Sequence, residues 1–175
     1  MSKKYLIVVD MQKDFVDGAL GTAEAQEIVP AVVKKIEEFQ GTVIYTKDTH
    51  FEDYLSTREG KYLPVEHRIK GTEGWQLVPP LEKLCVEKNA QVYEKNTFGC
   101  RKLAEDLLAK HMEEPIDSIE LIGICTDICV VSNALLLKAY MPEVDILADA
   151  ACMAGVTKEK HEAAIETMRS CQILV

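Results

Sequence analysis

Short apolar runs alternate with stretches of helical spacing along this chain. Residues 5–9 (YLIVV) form an unbroken apolar run, as in a strand buried on both faces, and it stops at Asp10. The polar, glycine-bearing stretch 11–21 reads as a loop. Helical spacing follows over about 22–40, with Glu24 and Glu27 early and Lys34 and Lys35 later, the order a helix dipole favours. Pro30 inside that stretch predicts a kink or a true start near Val29. Gly41 closes it, and 42–46 reads as a second strand. Periodicity then fails over 47–80, apart from a short helix at 80–85. Strand 91–95 and helix 101–111 come next. The stretch SIELIGICTDICVVSNALLLKAY (118–140) holds a buried strand over 119–124 and a helix from Asp127 through Leu137, with Thr126 or Asp127 placed to cap it. A strand at 144–148, a helix at 158–168 and a short edge strand at 173–175 complete the pattern. Strands alternating with helices predict an α/β fold: a three-layer, doubly wound, mostly parallel sheet of about six strands with helices on both faces. Residues 1–175 read as a single domain.

Charge and cysteine usage narrow the function. The net charge of −9 and the absence of a basic run argue against nucleic acid or an anionic membrane surface as partner. The amino-terminal apolar run is too short for a signal core or a membrane span. With no export signal, the six cysteines are expected as thiols in a reducing cytoplasm.

Three chemistry-bearing residues, Asp10, Lys95 and Cys129, sit just past three strand ends. In a parallel sheet those ends converge on one rim, where ligands bind. An acid beside a thiol can take its proton, and a lysine can hold the acid ionised and stabilise negative charge. Cys129 falls in the first helical turn, where the dipole is expected to lower its pKa. Cys125, on the strand side of the turn, reads as a buried structural thiol. The Cys-x-x-x-Cys spacing of the two matches neither a redox nor a zinc pattern. The irregular segment 47–80 is long enough to be functional and carries Asp48, His50, Glu52, Asp53, Glu59 and His67.

VVDMQKDF (8–15), VYEKNTF (92–98) and GICTDICV (123–130) together resemble the signatures of the isochorismatase-like cysteine hydrolases, in the family's order and with family-like spacing. The resemblance implies a catalytic triad of Asp10, Lys95 and Cys129. It further implies a cis peptide at Ile124–Cys125 and an oxyanion hole formed by the Cys125 and Cys129 N–H groups. TKDTH (46–50) with LPVEHRIKGTEGW (63–75) is similar to the metal-binding segment of nicotinamidases. Asp48, His50 and His67 would then bind a divalent metal, Zn²⁺ first and Fe²⁺ or Mn²⁺ as alternatives. Glu59 ranks ahead of Asp53 and Glu52 as fourth ligand. Arg68 stands where the family often has cysteine, with no effect expected on ligation.

For substrate contacts the resemblance implies Phe15, Leu63 and Phe98. Leu63 stands where an aromatic residue is usual, and Phe98 or Tyr93 could compensate. The implied reaction is hydrolysis of nicotinamide to nicotinate and ammonia through a cysteine thioester, a cytoplasmic step of NAD salvage with a small-molecule amide as partner. Another small amide or an N-carbamoyl compound is the alternative substrate. A vinyl-ether hydrolase fits less well, because such sequences lack the full metal segment. A different class of reading is a silent metal-binding or thiol-regulatory module, which predicts ordinary reactivity at Cys129. Family members occur as monomers, dimers or tetramers, so a homo-oligomer stays open.

Overall fold

A computed structural model describes residues 3–175. Five parallel strands form one sheet: β1 (Lys4–Val9), β2 (Thr42–Asp48), β3 (Gln91–Lys95), β4 (Ser118–Ile124) and β5 (Asp145–Ala154), in the order β3-β2-β1-β4-β5. The chain builds outward from β1 through β2 to β3, then crosses back to lay β4 on the other side of β1. That reversal puts a topological switch point between the carboxyl ends of β1 and β4, the crevice where open α/β sheets bind ligands. Asp10 and Cys125 are the first residues beyond those two ends.

Alternation along the strands feeds two apolar layers. Tyr5, Ile7 and Val9 of β1 join Ile119 and Leu121 of β4 against α6 (Arg101–Glu113), α7 (Val131–Tyr140) and α8 (Lys158–Ser170). Leu6 and Val8, with Ile122 and Ile124, face the opposite way. They pack against α2 (Ala23–Glu27), α3 (Val29–Glu38) and α5 (Pro79–Glu87). Two short helices, α1 (Lys13–Val16) and α4 (Arg58–Tyr62), lie in the excursions that follow β1 and β2. This is the expected three-layer arrangement.

Several boundaries move from their sequence-based positions, each for a physical reason. The predicted helix over 22–40 is two helices, and the second begins at Val29 with Pro30 in its first turn, where proline's missing N–H costs nothing. Thr22 caps the first by accepting from the Ala25 N–H. The last strand runs to Ala154, well past 148, with an irregularity opposite Leu121/Gly123 that lets it continue beside β4. The expected edge strand at 173–175 reduces to an isolated bridge from Leu174 to Leu147. Neither Thr126 nor Asp127 caps a helix. The chain first makes a wide π-type turn over Thr126–Val130, with the Val130 N–H bonding the Cys125 carbonyl at 3.0 Å, and α7 starts only at Val131. The two side chains are taken by tertiary partners instead: Thr126 Oγ1 pairs with His161 Nδ1 at 2.8 Å, and Asp127 Oδ1 accepts from the Val156 N–H at 2.9 Å.

Gly123 is the tightest point of the switch. It pairs with Val9, has φ +113°, and a Cβ there would lie 2.2 Å from the Val9 carbonyl oxygen. Both the backbone conformation and the space demand glycine. Gly123→Ala is expected to cost roughly 2–4 kcal/mol of stability. A urea unfolding curve checks this; an unchanged midpoint would mean that β1 and β4 tolerate separation.

Candidate active site

Four strand ends deliver reactive side chains to one rim. Asp10 follows β1 with φ +50°, a conformation that aspartate tolerates better than most residues. Its backbone N–H reaches the Thr46 carbonyl at 3.2 Å, and its Oδ1 accepts from the Thr46 hydroxyl at 2.6 Å. Its Oδ2 lies 2.7 Å from Lys95 Nζ, at the end of β3. The same ammonium is 3.4 Å from Asp48 Oδ1 at the end of β2 and 3.4 Å from Cys129 Sγ in the π-type turn after β4. Asp10, Lys95 and Cys129, far apart in sequence, thus meet through the lysine, and all three are buried. The Ile124–Cys125 peptide is cis, as the resemblance implied.

Burial decides the protonation states here. It pushes the Cys129 thiol well above its ordinary range; Asp10 adds to that push, while Lys95 and Arg68 oppose it. The dipole-lowered pKa expected from the sequence is therefore not found, because burial and the nearby Asp10 push the thiol the other way. Such a thiol needs a base to react. Burial also opposes charge on Lys95, yet Asp10, Cys129 and Asp48 together raise its pKa and keep it an ammonium. Burial pushes the Cys125 thiol up to about 12, as suits an inert side chain.

The excursion between β2 and α5 folds back onto this rim. A parallel bridge joins His50 to Ile69, with the His50 N–H donating to the Arg68 carbonyl and the Lys70 N–H donating to the His50 carbonyl. That bridge brings His67 to His50, with ring centroids 5.0 Å apart, and Tyr54 packs against both. Thr57 caps α4 through the Gly60 N–H, which sets Glu59 in the first turn. One donor atom from each of Asp48, His50, Glu59 and His67 lies within 4.8 Å of the others. Asp53 and Glu52, the lower-ranked candidates, fall outside this group.

The donor chemistry fits a divalent cation. His67 Nδ1 lies 2.7 Å from the Val65 carbonyl, so it must be the protonated nitrogen, and Nε2 keeps its lone pair. Nε2 of His67 is buried without a hydrogen-bond partner, a costly state that a bound cation would relieve, and Nε2 of His50 faces the Asp48 and Glu59 carboxylates at 3.1 and 3.5 Å. Burial holds the His67 pKa down. For Asp48, burial opposes the charged form, but His50, Lys95 and Arg68 prevail and keep its carboxyl far below the usual range.

A cavity of about 320 Å³ opens above Cys129. Phe15, Leu63 and Phe98, the expected contacts, all line it, together with Tyr62, Ile128 and Val156. Tyr93 does not. Its ring faces α6, where its hydroxyl donates to Asp106.

Residues 4–175 match the isochorismatase domain family. The chain belongs to the isochorismatase family. Among curated relatives, the isochorismatase family protein PncA of Bacillus subtilis is 33% identical over 169 residues, covering 91% of this chain and 90% of that one. A crystal structure of a nicotinamidase/pyrazinamidase PncA from Bacillus subtilis superposes with a TM-score of 0.81 at 31% identity, covering 99% of this chain and 98% of the other. The pyrazinamidase of Pyrococcus horikoshii in complex with zinc gives 0.81 at 26% identity, over 98% and 97% of the two chains.

Within this isochorismatase-family fold, sequence reasoning missed the residues that hold the site together. Gln12, fully buried, donates to the Asp48 and Trp75 carbonyls and accepts from the Asp48 N–H, fixing the end of β2 against the excursion. Asn133 accepts from the Cys100 N–H and donates to the Phe98 and Cys129 carbonyls, tying the loop after β3 to the π-type turn. Arg68, singled out in the sequence only as a replacement for cysteine, is buried against Asp48 and Asp10. No local pattern marks any of these, since each is defined by partners distant in sequence.

His50 generates a pH prediction. Burial works against its charged form, but Asp48 and Glu59 outweigh it and raise the pKa to about 9, above the 6.5 of a free imidazole. Between those values the folded, metal-free site carries a proton that a cation must displace. Zinc binding at pH 7.5 is therefore expected to release close to one proton, with apparent affinity falling roughly tenfold per pH unit below 9. Titration calorimetry in two buffers of different ionisation enthalpy reads this directly; identical heats would refute it.

Proposed function

We propose that this protein is a cysteine amidohydrolase of the nicotinamidase type, converting nicotinamide and water to nicotinate and ammonia. The observation that carries this reading is the Lys95 ammonium, in contact with the Asp10 carboxylate and with the sulfur of Cys129, which itself lines an apolar cavity. The nicotinamidase and pyrazinamidase names of the similar proteins support it.

In this reading Asp10 removes the Cys129 proton, and the sulfur forms a bond to the carboxamide carbon. The C=O electron pair moves onto oxygen, where Lys95 and the Cys125 and Cys129 N–H groups stabilise it. A single donor of this kind is commonly worth ~2.7–4 kcal/mol. Asp10 returns its proton to nitrogen as the C–N bond breaks and ammonia leaves. The resulting thioester is hydrolysed by a water that Asp10 deprotonates, which restores the thiol. Phe15, Tyr62 and Phe98 supply aromatic walls for a pyridine ring, with Tyr62 standing in for the aromatic residue absent at Leu63. Asp48, His50, Glu59 and His67 would hold a divalent cation, with zinc favoured by the two imidazoles and two carboxylates. When bound, such a cation supplies a Lewis-acidic point that can orient a ring nitrogen or polarise a water.

Cys129→Ala is expected to lower ammonia release from nicotinamide by at least about 10³-fold without unfolding the chain. Parallel assays with nicotinamide and an N-carbamoyl amino acid identify the substrate class. Release from the carbamoyl compound alone would move the reading to a related amidohydrolase. No release from either, with Cys129 alkylated no faster than a free thiol, would leave a silent module.

A further inference from the structure

Arg68 has a position that neither the proposed chemistry nor the proposed metal ligation requires. Its side chain is 1% exposed, and its guanidinium lies 3.6 Å from the centre of the Phe15 ring. Nη1 reaches Asp48 Oδ2 at 3.1 Å and Asp10 Oδ2 at 3.5 Å, while Nη2 is 3.4 Å from the Asp10 carbonyl. Nε has no partner. The backbone is held at φ +49°, and its N–H donates to Asp14 Oδ2 at 2.6 Å. An unsatisfied buried donor and a left-handed backbone are both costs, and structures retain them where a side chain must be fixed in place.

The oxygen that Arg68 holds is decisive. Asp48 Oδ2 also lies 3.1 Å from His50 Nε2, so it is the carboxylate oxygen turned toward the other donors. Around it Asp10, Asp48 and Glu59 carry negative charge, and Lys95 and Arg68 carry positive charge. Without an ion, Arg68 relieves the crowding of carboxylates. With a divalent ion, it becomes a like charge one carboxylate away. Because the ion is doubly charged, that repulsion is twice what a monovalent cation would feel at the same place.

We propose that Arg68 is a positioning residue that sets how tightly the site holds its divalent cation. It keeps Asp48 and Asp10 seated in the ion-free protein and weakens the grip on the ion once bound. The proposal rests on reading Asp48, His50, Glu59 and His67 as the ligand set. Arg68→Gln retains a donor for Asp48 and removes the charge; Arg68→Lys retains the charge and removes the planar fork. Zinc affinity of the full chain, measured by competition with a chromogenic chelator, is expected to tighten at least about tenfold in Arg68→Gln. In Arg68→Lys it is expected to stay within about threefold of wild type. The melting temperature of Arg68→Gln should also rise more on zinc addition than that of wild type. Equal or weaker zinc binding in Arg68→Gln overturns the proposal. So does an Arg68→Gln protein that stays unfolded in excess zinc, since Arg68 would then serve the fold alone. A wild-type protein that binds no divalent cation instead sinks the ligand-set reading itself.

Discussion

One buried ammonium holds the centre of this structure. Lys95 touches carboxylates at the ends of β1 and β2 and the sulfur after β4, so one side chain links the ends of four of the five strands. An ion removed from water costs several kcal/mol, a cost offset only when every partner is in place. Removing one member of such a cluster leaves an uncompensated charge, commonly a loss of about 3–5 kcal/mol. The members of this rim are buried because the two apolar layers below them close the sheet against water on both faces.

The frame was legible because hydrophobic burial writes itself into local pattern. The run at 5–9 stops at Asp10, the strand at 91–95 ends on Lys95, and the run at 119–124 gives way to the turn that begins with Cys125. What stayed hidden depends on partners far along the chain. Thr126 and Asp127 have the composition of caps, but His161 and the Val156 N–H claim their oxygens. Cys129 occupies the start of a helical stretch, yet burial and the Asp10 carboxylate push its thiol upward. Glu59 emerged as a ligand candidate only from resemblance, since nothing in the spacing of 47–80 reveals that Thr57 turns a short helix toward the two histidines.

Arg68 marks the same boundary from the other side. Its sequence neighbours make it a loop arginine, and loop arginines are normally solvated. The bridge between His50 and Ile69 is what carries it inward, by laying the return of the excursion alongside its outgoing limb. A single pairing of two short segments thus converts a polar loop into part of the pocket, placing a second cation beside the acids that Lys95 already engages.

The cavity also divides the labour between parts of the chain. Its floor comes from strand ends fixed by the sheet, whereas its walls come from elements outside the sheet: α1 with Phe15, α4 and its end with Tyr62 and Leu63, and the loop after β3 with Phe98. Phe15, with the Arg68 guanidinium on its ring, is tied to the charges below, whereas Leu63 and Phe98 are held through their backbone, by the Tyr54 hydroxyl at the Leu63 carbonyl and by Asn133 at the Phe98 carbonyl. A scaffold built this way can acquire new substrate preferences through its perimeter while the reactive centre is inherited intact.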